Sequence, residues 1–289
     1  MSAPENPFDI AAPEYAAVRP AYPAEAIDAL LAALPSHPAE PRVADIGSGT
    51  GKMSALLAAR GCRVEAVEPS AAMRSQMRAA LRLGHEAGAG NRRGEDSELS
   101  ADSGDAPREH REGDAPAPMA SPAARIRLHD GSAEATGLES ASLDLVVFAQ
   151  SWHWVDPERA AGEAARVLAP GGVLAAVWNQ MDVSLPWVHR LTRIMRSGDV
   201  HRPENPPAFG PLFQAPRLDL VTWEDAMTPE EVLRLGTTRS SYLRQDGAGR
   251  ERMQANLRWY LYEHLGFAPG EPIAIPYSTL VWTARVLGV

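Results

Sequence analysis

Cysteine, lysine and long hydrophobic runs are what this sequence has least of. Its 289 residues include one cysteine, Cys62, which excludes an internal disulfide and suits a reducing compartment. Lys52 is the only lysine, and we attribute the dominance of arginine to genomic composition. No apolar run approaches the roughly 18 residues of a membrane span, and no signal-peptide pattern is present. These absences lead us to expect a cytoplasmic protein that does not bind membranes.

Basic residues are fewer than acidic residues in this sequence. The sequence has 28 lysines and arginines against 37 acidic residues, which gives a formal net charge of -9. Nucleic-acid phosphates require a basic field, so we expect no nucleic-acid partner. The histidines are scattered and the cysteine stands alone, so we predict no metal site. Nothing in the sequence indicates an oligomeric state.

The most informative stretch is residues 43–51, where a short apolar run containing Asp45 opens into alternating glycines at Gly47 and Gly49, around Ser48. A helix-forming stretch follows at once, so the segment predicts a strand, a tight turn and a helix. Glycine is needed where the backbone adopts positive φ or where a ligand approaches closely. In an open parallel sheet such a turn lies at the carboxyl end of a strand, where ligands bind.

A second strand, residues 63–68, ends in Glu68 about twenty residues later, the spacing typical of a carboxylate that binds a ribose diol. Together the two segments predict a nucleoside-binding α/β domain. The dinucleotide fingerprint fails, because Lys52 occupies its third glycine position. Asp45 would repel a diphosphate but would favour a sulfonium cofactor that carries an ammonium group. An NAD(P)-dependent oxidoreductase and a ligand-free turn remain the alternatives.

Residues 43–51 resemble the first motif of the class I S-adenosylmethionine-dependent methyltransferases, and residues 67–70 resemble the acidic strand tip that follows it. Residues 149–156 closely resemble a methyltransferase type 11 branch that includes trans-aconitate methyltransferase-like proteins, and residues 166–172 match the same family. The resemblance implies a Rossmann-like, doubly wound α/β fold. It would have a seven-stranded sheet, helices on both faces and an N-terminal helical lid. It further implies S-adenosyl-L-methionine as cofactor and methyl transfer to a small-molecule acceptor, possibly at a carboxylate or hydroxyl.

The resemblance also assigns the cofactor contacts, which are Tyr15, Arg19, Asp45, Gly47, Ser48, Gly49, Glu68, Pro69, Ser132, Ala133 and Gln150. Tyr15 and Arg19 belong to a segment that covers the cofactor in the family, although an aromatic ring here could equally pack on the sheet. Arg19 would pair with the methionine carboxylate or with an acidic substrate. Ser132 and Ala133 would contact the adenine, with Asp130 as a substitute.

Acceptor contacts are predicted after the unbroken apolar strand at residues 143–149, in the loop that contains Trp152, His153 and Trp154. We predict His153 as the catalytic residue, needed as a base only if the acceptor must lose a proton. Trp152, Trp154 and Arg239 are predicted to contact the substrate. The alternative is that the tryptophans cap the core and His153 is hydrogen-bonded.

The chain is predicted to form a single methyltransferase domain over residues 1–289. A helix over residues 71–83 is followed by a low-complexity insertion, residues 84–122, which is too polar to bury a core and is predicted to be disordered. Residues 180–265 should supply substrate-covering elements. A catalytically silent S-adenosylmethionine-binding scaffold that docks partners through the acidic insertion remains an alternative.

Overall fold

The computed structural model of the protein describes residues 18–35, 38–90, 122–197 and 201–288, with the backbone alone at residues 83–90. Tyr15 and residues 91–121 of the predicted insertion therefore lie outside the described residues. Within the described ranges, no helix combines the length and the apolar character needed to cross a bilayer.

Helices and strands alternate through the first two thirds of the chain. In chain order, the elements are α1 (Ala24–Ala32), β1 (Arg42–Ile46), α2 (Lys52–Ala59), β2 (Arg63–Val67), α3 (Ala71–Gly90), β3 (Ile126–His129), β4 (Leu143–Ala149), α4 (Pro157–Val167), β5 (Leu168–Met181), α5 (Pro186–Ile194), β6 (Arg217–Met227), α6 (Pro229–Thr237), α7 (Ser240–Leu243), α8 (Gly247–Arg258) and β7 (Ile273–Arg285). Trp152–Trp154 forms a 3-10 turn, and Trp259–His264 continues α8 as a π-helix.

The strands form one sheet of seven in the order β3-β2-β1-β4-β5-β7-β6. Strands β1 to β5 run parallel, whereas β7 lies antiparallel to both β5 and β6. The strand order reverses between β1 and β4, and ligands bind beside the carboxyl ends of strands at such a reversal. The predicted doubly wound, seven-stranded sheet is confirmed.

Strand β4 shows why this sheet is covered on both faces. Val146 and Phe148 belong to a hydrophobic cluster with α4, while Leu145 and Val147 belong to a second cluster with α1 and α2. Alternate residues of a strand point to opposite faces, so an unbroken apolar run indicates burial on both. A third cluster joins α5, α6 and α8 to the start of β7.

Two elements are longer than the sequence predicts. Helix α3 continues to Gly90, into the segment 84–122 that the sequence predicts to be disordered. Extending a helix that is already nucleated costs little per residue, although Gly84, Gly88 and Gly90 have low helix propensity. Strand β6 spans Arg217–Met227 because it pairs with β7 along its whole length, although residues 218–223 alone have a strand pattern.

Candidate functional site

The glycine loop between β1 and α2 turns sharply at Gly47, whose φ is 68°. A Cβ atom there would lie 2.7 Å from the Cβ of Ser151, so glycine is required by both the backbone conformation and the close approach. The amides of Gly47 and Ser48 donate hydrogen bonds to the carbonyl oxygen of Val67 at 2.8 and 3.1 Å. The loop is thereby fixed at the carboxyl ends of β1, β2 and β4, the position that the sequence predicts.

Glu68 holds the glycine loop from the tip of β2, where it is 6% exposed. Its Oε2 accepts a hydrogen bond from the Gly49 amide at 2.9 Å, and its Oε1 accepts one from the Ser70 amide at 2.8 Å. The predicted contact between Glu68 and a ribose stays a prediction.

Arg74 on α3, which sequence reasoning missed, fixes the segment assigned to the adenosine. Its guanidinium donates to the carbonyl oxygen of Pro69 at 2.8 Å and pairs with the carboxylate of Asp130 at 2.8 Å. Asp130 is therefore engaged by Arg74, which weakens its case as a substitute adenine ligand. Ser132 forms an isolated β-bridge, and Ala133 is buried in the cluster beside α4.

Asp45, the last-but-one residue of β1, is fully buried. Its Oδ2 accepts a hydrogen bond from the Ser54 hydroxyl at 2.6 Å, whereas its Oδ1 has no partner among the described residues. Burial raises the pKa of Asp45 to about 7, the Ser54 hydrogen bonds oppose this shift, and the charge of Glu68 adds to it. A cationic ligand would stabilise the ionised form of this buried carboxyl group and so lower its pKa.

Gln150 follows β4 directly and adopts a φ of 59°, a conformation that is uncommon for a residue with a side chain. Its side-chain amide donates to the carbonyl oxygen of Asn179 at 2.7 Å, and its backbone amide donates to Val177 at 2.8 Å. These bonds hold the strained residue in place. Backbone strain of this kind clusters at binding sites.

These residues border a cavity of about 110 Å³, which we call the central cavity. Its walls come from the glycine loop, the ends of β4 and β5, the segment before α1, and elements near the end of the chain. The lining used below is Arg19, Asp45, Lys52, Gln150, Arg239 and Tyr277. Glu68, Ser132 and Ala133 lie outside this lining.

One wall of the central cavity is basic. The Arg19 guanidinium donates to the carbonyl oxygen of Thr238 at 2.9 Å, which brings it beside Arg239. Lys52 lies on the same cavity, and burial lowers its pKa while the charge of Asp225 opposes that shift. We attributed the rarity of lysine to genomic composition, but the position of Lys52 on the cavity gives this residue a structural role. Arg19 and Arg239, both predicted ligand contacts, border the central cavity.

The Trp152–Trp154 turn lies outside the central cavity. Trp152 is buried and contacts the ring of Phe209 edge-on at 5.1 Å, so its packing favours a core position over the predicted substrate contact. Trp154 is 56% exposed. His153 is exposed, and its Nδ1 lies 3.3 Å from the indole nitrogen of Trp178.

The contact with Trp178 bears on the predicted catalytic role of His153. An indole N–H only donates, so Nδ1 must be the acceptor and neutral His153 carries its proton on Nε2. Nε2 then donates hydrogen bonds and does not accept a proton. Together with its position outside the cavity, this geometry disfavours His153 as a general base.

A larger groove of about 630 Å³ lies near the amino ends of β1, β2 and β4. Its lining is charged and includes Arg42, Arg63 and Arg125 with Glu40. None of the predicted site residues borders it, and ligands of parallel sheets bind at the opposite ends of the strands. In the described part of the chain, no group of three or more His, Cys, Asp and Glu side chains could hold a metal ion.

The sheet order, the glycine loop and the acidic residues at the tips of β1 and β2 define a Rossmann-like methyltransferase. Comparison with known proteins agrees: a sequence model of the methyltransferase domain matches residues 44–176. An uncharacterized methyltransferase of Mycobacterium tuberculosis is 34% identical over 274 residues, which cover 94% of this chain and 93% of the relative. The chain belongs to the class I S-adenosylmethionine-dependent methyltransferase family, and its cofactor is S-adenosylmethionine.

A second relative and a solved structure are also similar to this chain. An uncharacterized methyltransferase of Schizosaccharomyces pombe is 36% identical over 134 residues, which cover 44% of this chain and 53% of the relative. A solved structure from Anaeromyxobacter dehalogenans, described as a type II methyltransferase, superposes with a TM-score of 0.59 at 24% identity. That alignment covers 94% of this chain and 99% of the other, and it shows a shared fold.

Proposed function

We propose that this methyltransferase transfers the methyl group to a carboxylate or hydroxyl oxygen of a small-molecule acceptor. The observation that carries the proposal is the central cavity. Its acidic side, at Asp45, and its basic side, at Arg19 and Arg239, face the same 110 Å³ of space. A cavity of this size takes one end of a small molecule, and we propose a small acceptor on that ground.

The residues at the cavity fit the cofactor. The Oδ1 of Asp45 has no partner among the described residues, which suits the ammonium group of the methionine end. At Gly47 a side chain would collide with Ser151, so the loop keeps its backbone open to a ligand. When bound, S-adenosylmethionine supplies a methyl group that its sulfonium has already activated. The protein residues therefore need to position the reactants and exclude water.

The need for a base separates the two acceptor classes. A carboxylate is already ionised at neutral pH, whereas a hydroxyl must lose a proton. No histidine borders the central cavity in the described part of the chain, and His153 accepts a hydrogen bond from Trp178. We assign Asp45 to the ammonium group of the cofactor, and Lys52 donates to the carbonyl oxygen of Arg19. A carboxylate, which needs no base, is therefore favoured as the methyl acceptor.

The other candidate functions gain no support from the site. A buried carboxylate at Asp45, beside the glycine loop, would repel the diphosphate of NAD(P). A catalytically silent scaffold would bind the cofactor in the same cavity, and the methyl-transfer assay separates it from an enzyme.

Calorimetry followed by methyl transfer tests this proposal. We expect S-adenosylhomocysteine to bind and NAD not to bind. We also expect radiolabelled methyl groups from S-adenosylmethionine to enter the low-mass fraction of a bacterial metabolite extract. Label that enters only macromolecules would contradict a small-molecule acceptor.

A further inference from the structure

Three polar side-chain atoms on the central cavity have no hydrogen-bond partner among the described residues. They are the Oδ1 of Asp45, the hydroxyl of Tyr277 and the hydroxyl of Ser48, which also borders the cavity. All three residues are buried, and Tyr277 is 2% exposed. Buried polar groups are normally hydrogen-bonded, because leaving them unpaired is destabilising. Three such atoms on one cavity indicate that a bound ligand supplies their partners.

The three atoms come from two distant parts of the chain. Asp45 and Ser48 belong to β1 and the glycine loop, whereas Tyr277 lies on β7, in the hydrophobic cluster with α5, α6 and α8. Its ring stacks on Trp223 of β6 with 5.1 Å between the ring centroids. The match to the methyltransferase model ends at residue 176, so Tyr277 lies outside the matched part of the chain.

The amino-acid end of S-adenosylmethionine offers a partner for each of these atoms. Its ammonium group only donates hydrogen bonds and suits the Oδ1 of Asp45, whereas its carboxylate only accepts them. Burial raises the pKa of Tyr277 to about 12, although the charges of Arg239 and Arg19 oppose the shift. The hydroxyl of Tyr277 is therefore protonated at neutral pH and can donate a hydrogen bond to the carboxylate.

The carboxylate of the cofactor can accept this hydrogen bond in addition to others. An ionised carboxylate has about four acceptor positions on its two oxygens. The pairing with Arg19 that the sequence predicts takes at most two of them, even where it is bidentate. The remaining positions can accept from the hydroxyls of Tyr277 and Ser48.

We infer that Tyr277 is a cofactor-binding residue, whose hydroxyl donates a hydrogen bond to the carboxylate of the methionine end together with the hydroxyl of Ser48. The inference rests on the proposed function, in which Asp45 binds the ammonium group of the cofactor. It adds strand β7 to a site that the sequence places on the glycine loop and the neighbouring strand ends. The cofactor then contacts both the glycine loop and the cluster that contains α5, α6 and α8.

Tyr277→Phe tests the inference, because it removes the hydroxyl and keeps the ring that stacks on Trp223. Calorimetry compares two ligands, S-adenosylhomocysteine and its decarboxylated analogue, which keeps the ammonium group and lacks the carboxylate. We expect Tyr277→Phe to weaken binding of S-adenosylhomocysteine roughly tenfold and binding of the analogue less than about twofold. The melting temperature should not fall, since the lost hydroxyl is unpaired.

Ser48→Ala is the second variant and should show the same difference between the two ligands. The matched controls are Tyr262→Phe, whose hydroxyl contacts Glu230 away from the cavity, and Ser142→Ala, which removes a hydroxyl outside the cavity. Both controls should bind both ligands with the affinity of the parent protein.

Two results would overturn the inference while leaving the proposed function intact. Equal weakening of both ligands by Tyr277→Phe would show that the hydroxyl does not act through the carboxylate. Parent-like affinity for S-adenosylhomocysteine in Tyr277→Phe would assign the hydroxyl to water or to the methyl acceptor. Asp45→Asn should weaken both ligands, because both carry the ammonium group. If Asp45→Asn spared them, or if the parent protein failed to bind S-adenosylhomocysteine, the proposed function itself would be contradicted.

Discussion

The ammonium group of Lys52 donates a hydrogen bond to the backbone carbonyl oxygen of Arg19. Lys52 is the first residue of α2, where a positive charge opposes the helix dipole. Lys52 is also partly buried, which lowers its pKa. A charged residue at such an unfavourable position indicates that its hydrogen bond to Arg19 is needed for the structure of the site. It fastens the segment before α1 to the glycine loop and so closes one side of the central cavity.

Replacement of Lys52 tests this fastening. Lys52→Met keeps the length of the side chain and removes the hydrogen bond, so we expect affinity for S-adenosylhomocysteine to fall roughly tenfold. Calorimetry measures the change. Arg78→Met on α3, which removes an exposed cation, is the control and should leave the affinity unchanged. Equal affinities in Lys52→Met and the parent protein would show that Arg19 keeps its place without Lys52.

Asp45 should make cofactor binding depend on pH. Its pKa of about 7 means that the carboxylate gains a proton, and loses its charge, as the pH falls from 8 to 6. Binding of the cofactor ammonium requires the charged form, so affinity should rise with increasing pH across this range. In Asp45→Asn the affinity should be more than about tenfold weaker at pH 8. Titration calorimetry should also show that most of the pH dependence is gone; an unchanged pH profile would contradict the role of Asp45.

Glu68→Gln should loosen the glycine loop. The glutamine side chain has one carbonyl oxygen, so it can keep the hydrogen bond from Gly49 or the one from Ser70 through that atom, while its amide group faces the other N–H. We expect the free energy of unfolding to fall by about 1–3 kcal/mol and the affinity for S-adenosylhomocysteine to decrease. Glu65→Gln, on the same strand but paired with His129 outside the cavity, is the control for both measurements. Parent-like stability in Glu68→Gln would mean that the loop is held by its other contacts.

His153→Asn separates a catalytic base from a surface residue. Loss of a general base typically costs about 10²–10⁴-fold in rate. Because His153 lies outside the cavity and accepts a hydrogen bond from Trp178, we expect turnover to fall less than about tenfold, with cofactor affinity unchanged. A loss of two orders of magnitude in steady-state turnover, with intact affinity, would restore the catalytic role that the sequence predicts.

The sheet and the glycine loop were predictable because their signals are local. The strand at residues 143–149 is an unbroken apolar run, and Gly47 occupies a turn where few other residues fit. Asp45 and Glu68 follow from the same reasoning, since each lies at the carboxyl end of a predicted strand. Parallel strands bring such ends together at one edge of the sheet.

The basic wall was only partly predictable. Lys52 and Tyr277 are more than two hundred residues apart in sequence and meet only because β7 inserts between β5 and β6. The sequence around Tyr277 predicts a strand but does not predict which face of the sheet its side chain lies on. No local signal in the sequence indicates that its hydroxyl is unpaired. For Trp152 and His153, the rotation of one short 3-10 turn decides which side chain enters the core.

A crystal structure of the protein with S-adenosylhomocysteine tests the central claim most directly. The account predicts electron density for the amino-acid end of the ligand in the central cavity, with its ammonium group at Asp45 and its carboxylate at Arg19. Density that places the amino-acid end elsewhere, with Asp45 out of contact with the ligand, would contradict it.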